Sequence, residues 1–121
     1  MATVMVVDDS KTVRNYHGTI LKSMGVDIVE AENGMEALEK SLDNDIDLYL
    51  VDVNMPIMDG YSFIQDLRKQ EKQKTIPIIM VTTQAKEEDK INAYQVGSNL
   101  FETKPIRPEQ LQAYLDILVK S

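Results

Sequence analysis

Cysteine is absent from this 121-residue chain, and histidine occurs once, as His17. The absence of Cys excludes disulfide bonds, a thiolate nucleophile and any Cys-based metal site, and it permits a reducing compartment. A single imidazole also excludes a metal site built from several His ligands. Any metal site must therefore be built from oxygen ligands.

Basic residues are too few for a protein that binds nucleic acid directly. Lys and Arg total 13 against 20 Asp and Glu, the formal net charge is -7, and no basic run is present. Apolar residues nowhere run to membrane-spanning length, and the N-terminus lacks the regions of a secretion signal. We expect a cytoplasmic protein with no nucleic-acid partner and no membrane insertion.

Apolar periodicity and turn residues predict five strands that alternate with five helices. The predicted strands are 3–7, 27–31, 48–51, 76–81 and 100–103, and the predicted helices are 11–24, 35–42, 61–69, 87–96 and one that starts at Pro108. With 43% hydrophobic residues and no linker-like stretch, residues 1–121 are expected to form a single domain. The alternation is typical of an α/β fold with a doubly wound parallel sheet.

Several predicted helices show a clear apolar face. The expected core-facing side chains are Met35, Leu38 and Leu42 in the second helix, Phe63, Ile64 and Leu67 in the third, and Leu111, Tyr114, Leu115 and Leu118 in the last. The fourth helix, 87–96, has few apolar positions, so it is a candidate for movement or for a partner surface.

Polar residues that could form a binding or catalytic site follow several strands. Asp52 ends the central apolar run 48–51, and the carboxyl ends of parallel strands share one edge, where ligands bind. The residues expected at this edge are Asp8, Asp9, Asp52, Thr82 and Lys104. An Asp at a strand end is most often a helix cap or a solvated residue, but the coincidence of five such residues favours a site.

The expected chemistry of this edge is phosphoryl transfer. Three close carboxylates repel one another unless a cation neutralises them, and oxygen ligands favour Mg²⁺. Lys104 and Thr82 add an ammonium and a hydroxyl that can contact a phosphoryl group. Asp52 would then be the nucleophile that forms an acyl phosphate. His17, beside the apolar face of the first helix, is expected to be a packed or half-exposed neutral residue rather than a catalytic one.

Four motifs together resemble the receiver domain of bacterial two-component response regulators. They are Asp8-Asp9, DVNMPIMDG at 52–60, VTT at 81–83 and Lys104-Pro105. The resemblance covers essentially the whole chain and is strongest to the stand-alone, CheY-like receivers of chemotaxis. It implies a flavodoxin-like fold with strand order 2-1-3-4-5, no output domain, and a monomer.

The resemblance implies that Asp52 is phosphorylated from a histidine kinase of the CheA type. Mg²⁺, or Mn²⁺ in its place, would be held by Asp8 and Asp9, with Asp9, Asp52 and the backbone carbonyl of Asn54 as ligands. The only chemistry expected is autophosphorylation from phosphodonors and self-catalysed dephosphorylation, so the protein is not expected to be an enzyme.

The resemblance also implies a conformational switch. Thr82 and Lys104 would contact the phosphoryl group, and Phe101 would turn inward when Thr82 is drawn to the phosphate. The peptide bond before Pro105 would be cis. The surface of the fourth helix, fifth strand and fifth helix would bind a target such as a flagellar motor switch protein, and a phosphatase is a further candidate partner.

The chain departs from the family pattern in ways that bear on its partner contacts and its rates. Phe101 lacks the hydroxyl of the Tyr found in CheY-like receivers. Thr83 stands where many receivers carry Ala or Gly, and its bulk beside Asp52 is expected to slow phosphorylation and hydrolysis. Asn54 and Gln84 lie at positions that tune dephosphorylation in the family.

Three alternatives stay open at this point. The protein could be a phosphorelay intermediate or phosphate sink rather than a motor regulator. A haloacid-dehalogenase-type phosphatase also uses an aspartyl phosphate with Mg²⁺, but it needs a second Asp as general acid where this chain has Asn54. An interaction module that has lost phosphorylation is disfavoured because all five site positions are intact. The kinase, the input signal and the lifetime of the phosphorylated state are not predicted.

Overall fold

The computed structural model describes residues 1–119 and contains a five-stranded parallel sheet in the order β2-β1-β3-β4-β5. The strands are β1 (Thr3–Val7), β2 (Asp27–Ala31), β3 (Leu48–Asp52), β4 (Ile78–Thr82) and β5 (Leu100–Thr103). The helices are α1 (Lys11–Ser23), α2 (Gly34–Asp43), α3 (Gly60–Leu67), α4 (Glu87–Val96) and α5 (Pro108–Leu118), with a short 3-10 helix at Glu71–Gln73. The predicted doubly wound α/β fold and its strand order are therefore confirmed.

The sheet is buried on both faces, which explains the nearly continuous apolar composition of its central strands. Every residue of β3 and β4 is buried, and alternate side chains of each strand point to opposite faces. One core contains Met5 and Val7 of β1 with side chains of α2, α3 and α4. The other contains Val4 and Val6 with side chains of α1 and α5.

Helix starts are set by polar side chains that follow the strands. The Ser10 hydroxyl accepts from the backbone N–H of Val13 at 3.3 Å at the start of α1. The Asp59 carboxylate accepts from the N–H of Ser62 at 2.9 Å at the start of α3. These caps satisfy N–H groups that the helix itself leaves without partners. They place each helix immediately after a loop at the carboxyl edge of the sheet.

The predicted core face of α2 was correct at Leu38, which is partly buried against the core, and wrong at Met35 and Leu42. Met35 and Leu42 are 45% and 63% exposed, and the buried positions are Gly34, Ala37 and Ser41. Small residues face inward because α2 packs too closely for large ones. A Cβ atom added at Gly34 would lie 2.7 Å from Cγ of Met58, so the helix start is pressed against the loop after β3.

The predicted weak burial of α4 is confirmed. Ala93 is its one buried residue, while Ile91 and Tyr94 are 50% and 44% exposed. The start of β4 differs from the prediction by two residues, because Pro77 has no N–H for the sheet and Ile78 is the first strand residue. The Ile78 N–H donates to Oδ1 of Asn99 at 2.8 Å.

Candidate functional site

Three carboxylates meet at the carboxyl edge of the sheet. Asp8 follows β1 directly, Asp9 follows Asp8, and Asp52 is the last residue of β3. Each offers an oxygen, and these oxygens all lie within 4.8 Å of one another. Asp8 and Asp52 are only 2% and 4% exposed, whereas Asp9 is exposed. An all-oxygen cluster that is open on one side fits a hard divalent cation such as Mg²⁺, which keeps part of its water shell.

Lys104 lies between two of these carboxylates. Its Nζ atom is 3.0 Å from Oδ2 of Asp8 and 3.0 Å from Oδ1 of Asp52. Its backbone N–H donates to the carbonyl of Thr82 at 2.8 Å, and the Lys104–Pro105 peptide bond is cis, the geometry that the resemblance implied. The ammonium group is therefore held against the acidic cluster through both its side chain and its backbone.

Burial is the main influence on the titration of this cluster. It raises the pKa of Asp52 from its ordinary value of 3.8 to about 6; the neighbouring charge of Asp8 adds to the rise, and Lys104 opposes it. Burial alone would lower the pKa of Lys104, but its hydrogen bonds to Asp8 and Asp52 outweigh this effect and leave the pKa raised. Burial and the charge of Asp8 thus make the ionised Asp52 carboxylate costly, and a bound cation would lower this cost.

Arg14 of α1 supports Asp8, and sequence reasoning missed it. Its Nη1 atom donates to the backbone carbonyl of Asp8 at 2.7 Å, and its Nε atom lies 3.2 Å from Oε1 of Glu30 on β2. The Asp8 carboxylate also accepts from the N–H of Ser10 at 2.9 Å. A basic residue on the inward face of α1, with Glu30 near the end of β2, was the available signal.

Gly60 is a second residue that sequence reasoning did not assign to the site. Its N–H donates to the carbonyl of Val53 at 2.9 Å. A Cβ atom at this position would lie 2.3 Å from the backbone oxygen of Asp52 and 2.8 Å from Cε of Met80. Only glycine lets the start of α3 approach the backbone of Asp52 this closely.

The predicted switch and tuning residues lie around the cluster at different depths. Thr82 ends β4, is 4% exposed, and accepts through Oγ1 from the N–H of Gln84 at 3.4 Å. Thr83, Gln84 and Asn54 are exposed, and Phe101 of β5 is partly buried against the core on the α4 side of the sheet. Thr83 also lines a small apolar pocket of about 290 Å³ with Lys104 and residues of α1.

Residues 4–116 match the family model of the response regulator receiver domain. This chain belongs to the response regulator receiver family. Receiver domains bind Mg²⁺ at an acidic pocket, and this chain has a cluster of Asp8, Asp9 and Asp52 whose oxygens could hold a metal ion. Membership also implies a histidine kinase as partner.

This receiver is similar to chemotaxis proteins and to a segment of a sensor histidine kinase. It is 37% identical to chemotaxis protein CheY1 of Helicobacter pylori over 118 residues, which cover 96% of this chain and 95% of CheY1. It is 40% identical over 119 residues to the sensor histidine kinase CheAY of the same organism, covering 97% of this chain but 14% of that protein. The structure of CheY4 from Vibrio cholerae matches with a TM-score of 0.92 and 36% identity, covering 98% of this chain and 99% of CheY4. The predicted CheY-like receiver of two-component signalling is confirmed.

The helices of this receiver are short or polar. Across residues 1–119, none has both the length and the apolar composition that a bilayer crossing requires.

Proposed function

We propose that Asp52 accepts a phosphoryl group from a phosphohistidine on a partner histidine kinase of the CheA type. The observation that carries this proposal is the Lys104 ammonium, which lies 3.0 Å from both Asp8 and Asp52. A carboxylate at the end of the central strand, beside a fixed ammonium and two further acids, has the surroundings of an aspartyl nucleophile.

The transfer requires no general acid from the receiver. A carboxylate oxygen of Asp52 forms a bond to phosphorus, the bond between phosphorus and the imidazole nitrogen breaks, and its electron pair stays on that nitrogen; a proton on the other ring nitrogen of the phosphohistidine makes the leaving group a neutral imidazole. Asp8, Asp9, Asp52 and the backbone carbonyl of Asn54 would hold Mg²⁺, which neutralises charge on the phosphoryl oxygens. Mn²⁺ would substitute for it.

Two further residues would contact the phosphoryl group. The Lys104 ammonium would move its hydrogen bonds from Asp52 to a phosphoryl oxygen. The Thr82 hydroxyl, which now accepts from the N–H of Gln84 at 3.4 Å, would donate to another. Drawing Thr82 toward the phosphate would leave space for Phe101 to turn inward, and this would alter the surface formed by α4, β5 and α5.

The proposed output is regulation of a target such as a flagellar motor switch protein, by a monomeric domain of residues 1–121. Full-length similarity to the chemotaxis proteins CheY1 and CheY4 supports this output. A phosphorelay or phosphate-sink role is the second candidate, because the chain also matches a segment of the sensor histidine kinase CheAY. A phosphatase acting on stable esters is disfavoured, since the amide of Asn54 cannot act as a general acid.

The first test is phosphorylation with acetyl phosphate or a purified histidine kinase, with and without Mg²⁺. We expect Mg²⁺-dependent incorporation of one hydroxylamine-labile phosphate, lost in Asp52→Asn and retained in Asp45→Asn, which changes an exposed acid. Incorporation that survives Asp52→Asn would refute the proposal. Steady phosphate release from simple esters would favour the phosphatase instead.

The same protein loaded with beryllofluoride, a mimic of the phosphoryl group, is used to capture the partner to which it signals. Enrichment of a motor switch protein, absent with Asp52→Asn, would support the motor role. Enrichment of only a kinase and a histidine phosphotransfer protein would support the relay.

A further inference from the structure

His17 is buried at 1% exposure on the inner face of α1, and its imidazole makes a specific contact with the loop after β5. Its Nε2 atom accepts a hydrogen bond from the backbone N–H of Ile106 at 3.1 Å. The ring of Tyr16 lies edge-to-face against the imidazole, with centroids 5.2 Å apart. His17 is therefore more than a space-filling core residue, because it supplies the acceptor for a buried backbone donor.

The direction of this bond determines the form of the imidazole. The donor is a backbone N–H, so Nε2 must carry a free lone pair and the ring proton must lie on Nδ1. The pKa of His17 is lowered to about 4, mainly by burial. The charge of Asp8 opposes this shift, and the charge of Lys104 adds to it. The side chain is thus neutral near pH 7, and the acceptor is present.

Ile106, which makes the contact with His17, lies two residues after Lys104 in the chain. On the sheet side, the Lys104 N–H donates to the carbonyl of Thr82 at 2.8 Å. On the helix side, Ile106 donates to His17. Between them lie the cis peptide bond and Pro105, which has no N–H to donate. The segment from Lys104 to Ile106 is consequently held by a hydrogen bond at each end, and His17 provides the bond to α1.

We propose that His17 is a positioning residue that, through the amide of Ile106, holds the Lys104 ammonium against Asp8 and Asp52. The functional part of this inference rests on the proposed phosphorylation of Asp52. Arg14, three residues earlier on the same helix, holds the backbone of Asp8. The inner face of α1 therefore sets the separation between the acidic loop and the lysine loop.

The test compares three variants. His17→Leu keeps an apolar side chain of similar size and removes the acceptor, whereas His17→Gln retains an acceptor oxygen. Leu21→Ala is the control for lost stability, because Leu21 is fully buried on α1 but lies outside both loops. The free energy of unfolding is measured for each variant, so that rates are compared where every variant is folded.

The first readout is the rate of phosphorylation by acetyl phosphate at saturating Mg²⁺. We expect a loss of about tenfold in His17→Leu, because an unpaired buried N–H is costly enough to displace the loop. His17→Gln should recover most of this loss, and Leu21→Ala should match the wild type. Equal rates in His17→Leu and wild type, or equal losses in His17→Leu and Leu21→Ala, would overturn the proposal.

The second readout is the NMR signal of the Lys104 ammonium, which requires no phosphorylation. We expect its ¹⁵N and ¹³Cε shifts to change in His17→Leu and to return toward wild-type values in His17→Gln. If the wild type accepts no phosphate, the proposed function fails, and this signal alone decides the positioning role. An unchanged Lys104 signal in a folded His17→Leu variant would overturn that role.

Discussion

Replacing Asp52 with Asn should stabilise this receiver near neutral pH when divalent cations are removed. Burial and the neighbouring Asp8 raise the pKa of Asp52 from 3.8 to about 6, despite the opposing charge of Lys104. The folded state therefore disfavours the ionised carboxylate, and the neutral amide avoids this cost. One pKa unit corresponds to about 1.4 kcal/mol, so the gain in the free energy of unfolding should approach about 3 kcal/mol.

The sign of the pH dependence follows from proton binding. Between pH 4 and pH 6 the folded state holds a proton on Asp52 that the unfolded state has lost, so the wild type loses stability as pH rises through this window. The difference between Asp52→Asn and wild type should accordingly be small near pH 4, grow up to about pH 6, and stay constant above it.

Urea unfolding from pH 4 to pH 8 with EDTA measures this difference directly. Asp45→Asn is the matched control, since it removes an exposed carboxylate and should leave the unfolding free energy nearly unchanged. Saturating Mg²⁺ should narrow the gap, because a ligand at 100 times its Kd stabilises the folded wild type by about 2.7 kcal/mol. If Asp52→Asn is no more stable than wild type at pH 7.5 in EDTA, the electrostatic reasoning is wrong.

Two further changes test the loop that follows Asp52. Gly60→Ala should destabilise the fold by at least about 2 kcal/mol in urea unfolding and impair Mg²⁺ binding, because its Cβ would lie 2.3 Å from the Asp52 oxygen. Gly18→Ala is the control, because the nearest atom to its Cβ would be 4.0 Å away. It should instead stabilise α1 by about 0.5 to 1 kcal/mol in the same assay. Ile57→Asn should raise the unfolding free energy by about 1 kcal/mol, because Ile57 is 80% exposed and has φ 70, a left-handed conformation that Asn tolerates better than a β-branched residue; an unchanged melting temperature would contradict this.

The local pattern of apolar, polar and turn residues predicted several elements of the fold correctly. The bounds of β1, β2, α4 and β5 match the predictions, because each element combines a clear apolar or polar composition with a terminating Gly, Pro or acid. The inward face of α3 is also correct, with Phe63, Ile64 and Leu67 fully buried. Strand ends in a parallel sheet share one edge, so the meeting of Asp8, Asp52 and Lys104 followed from their order in the chain.

Features that depend on close approach between distant segments were not predictable in this way. The first residue of α2 must be small because Met58 occupies the space next to Gly34, and Met58 is 24 residues away from Gly34 in sequence. The requirement for Gly60 arises from the backbone of Asp52 rather than from the turn itself. The pairing of His17 with Ile106 spans 89 residues. Periodicity placed His17 beside the apolar face of the first helix, but it did not indicate what any of these residues contact.

The two ends of α4 are held by hydrogen bonds of different strength, and this bears on the proposed switch. At its carboxyl end, Arg68 donates to the carbonyl of Gly97 at 2.8 Å through Nη2 and at 3.3 Å through Nε. At its amino-terminal end, the Tyr61 hydroxyl donates to the carbonyl of Asp89 at 3.2 Å. Charged donors make the stronger bonds, so the amino-terminal turn is the easier one to displace. That turn is connected to Thr82 by four residues, so the proposed movement of Thr82 would act on the end of α4 that is held less firmly.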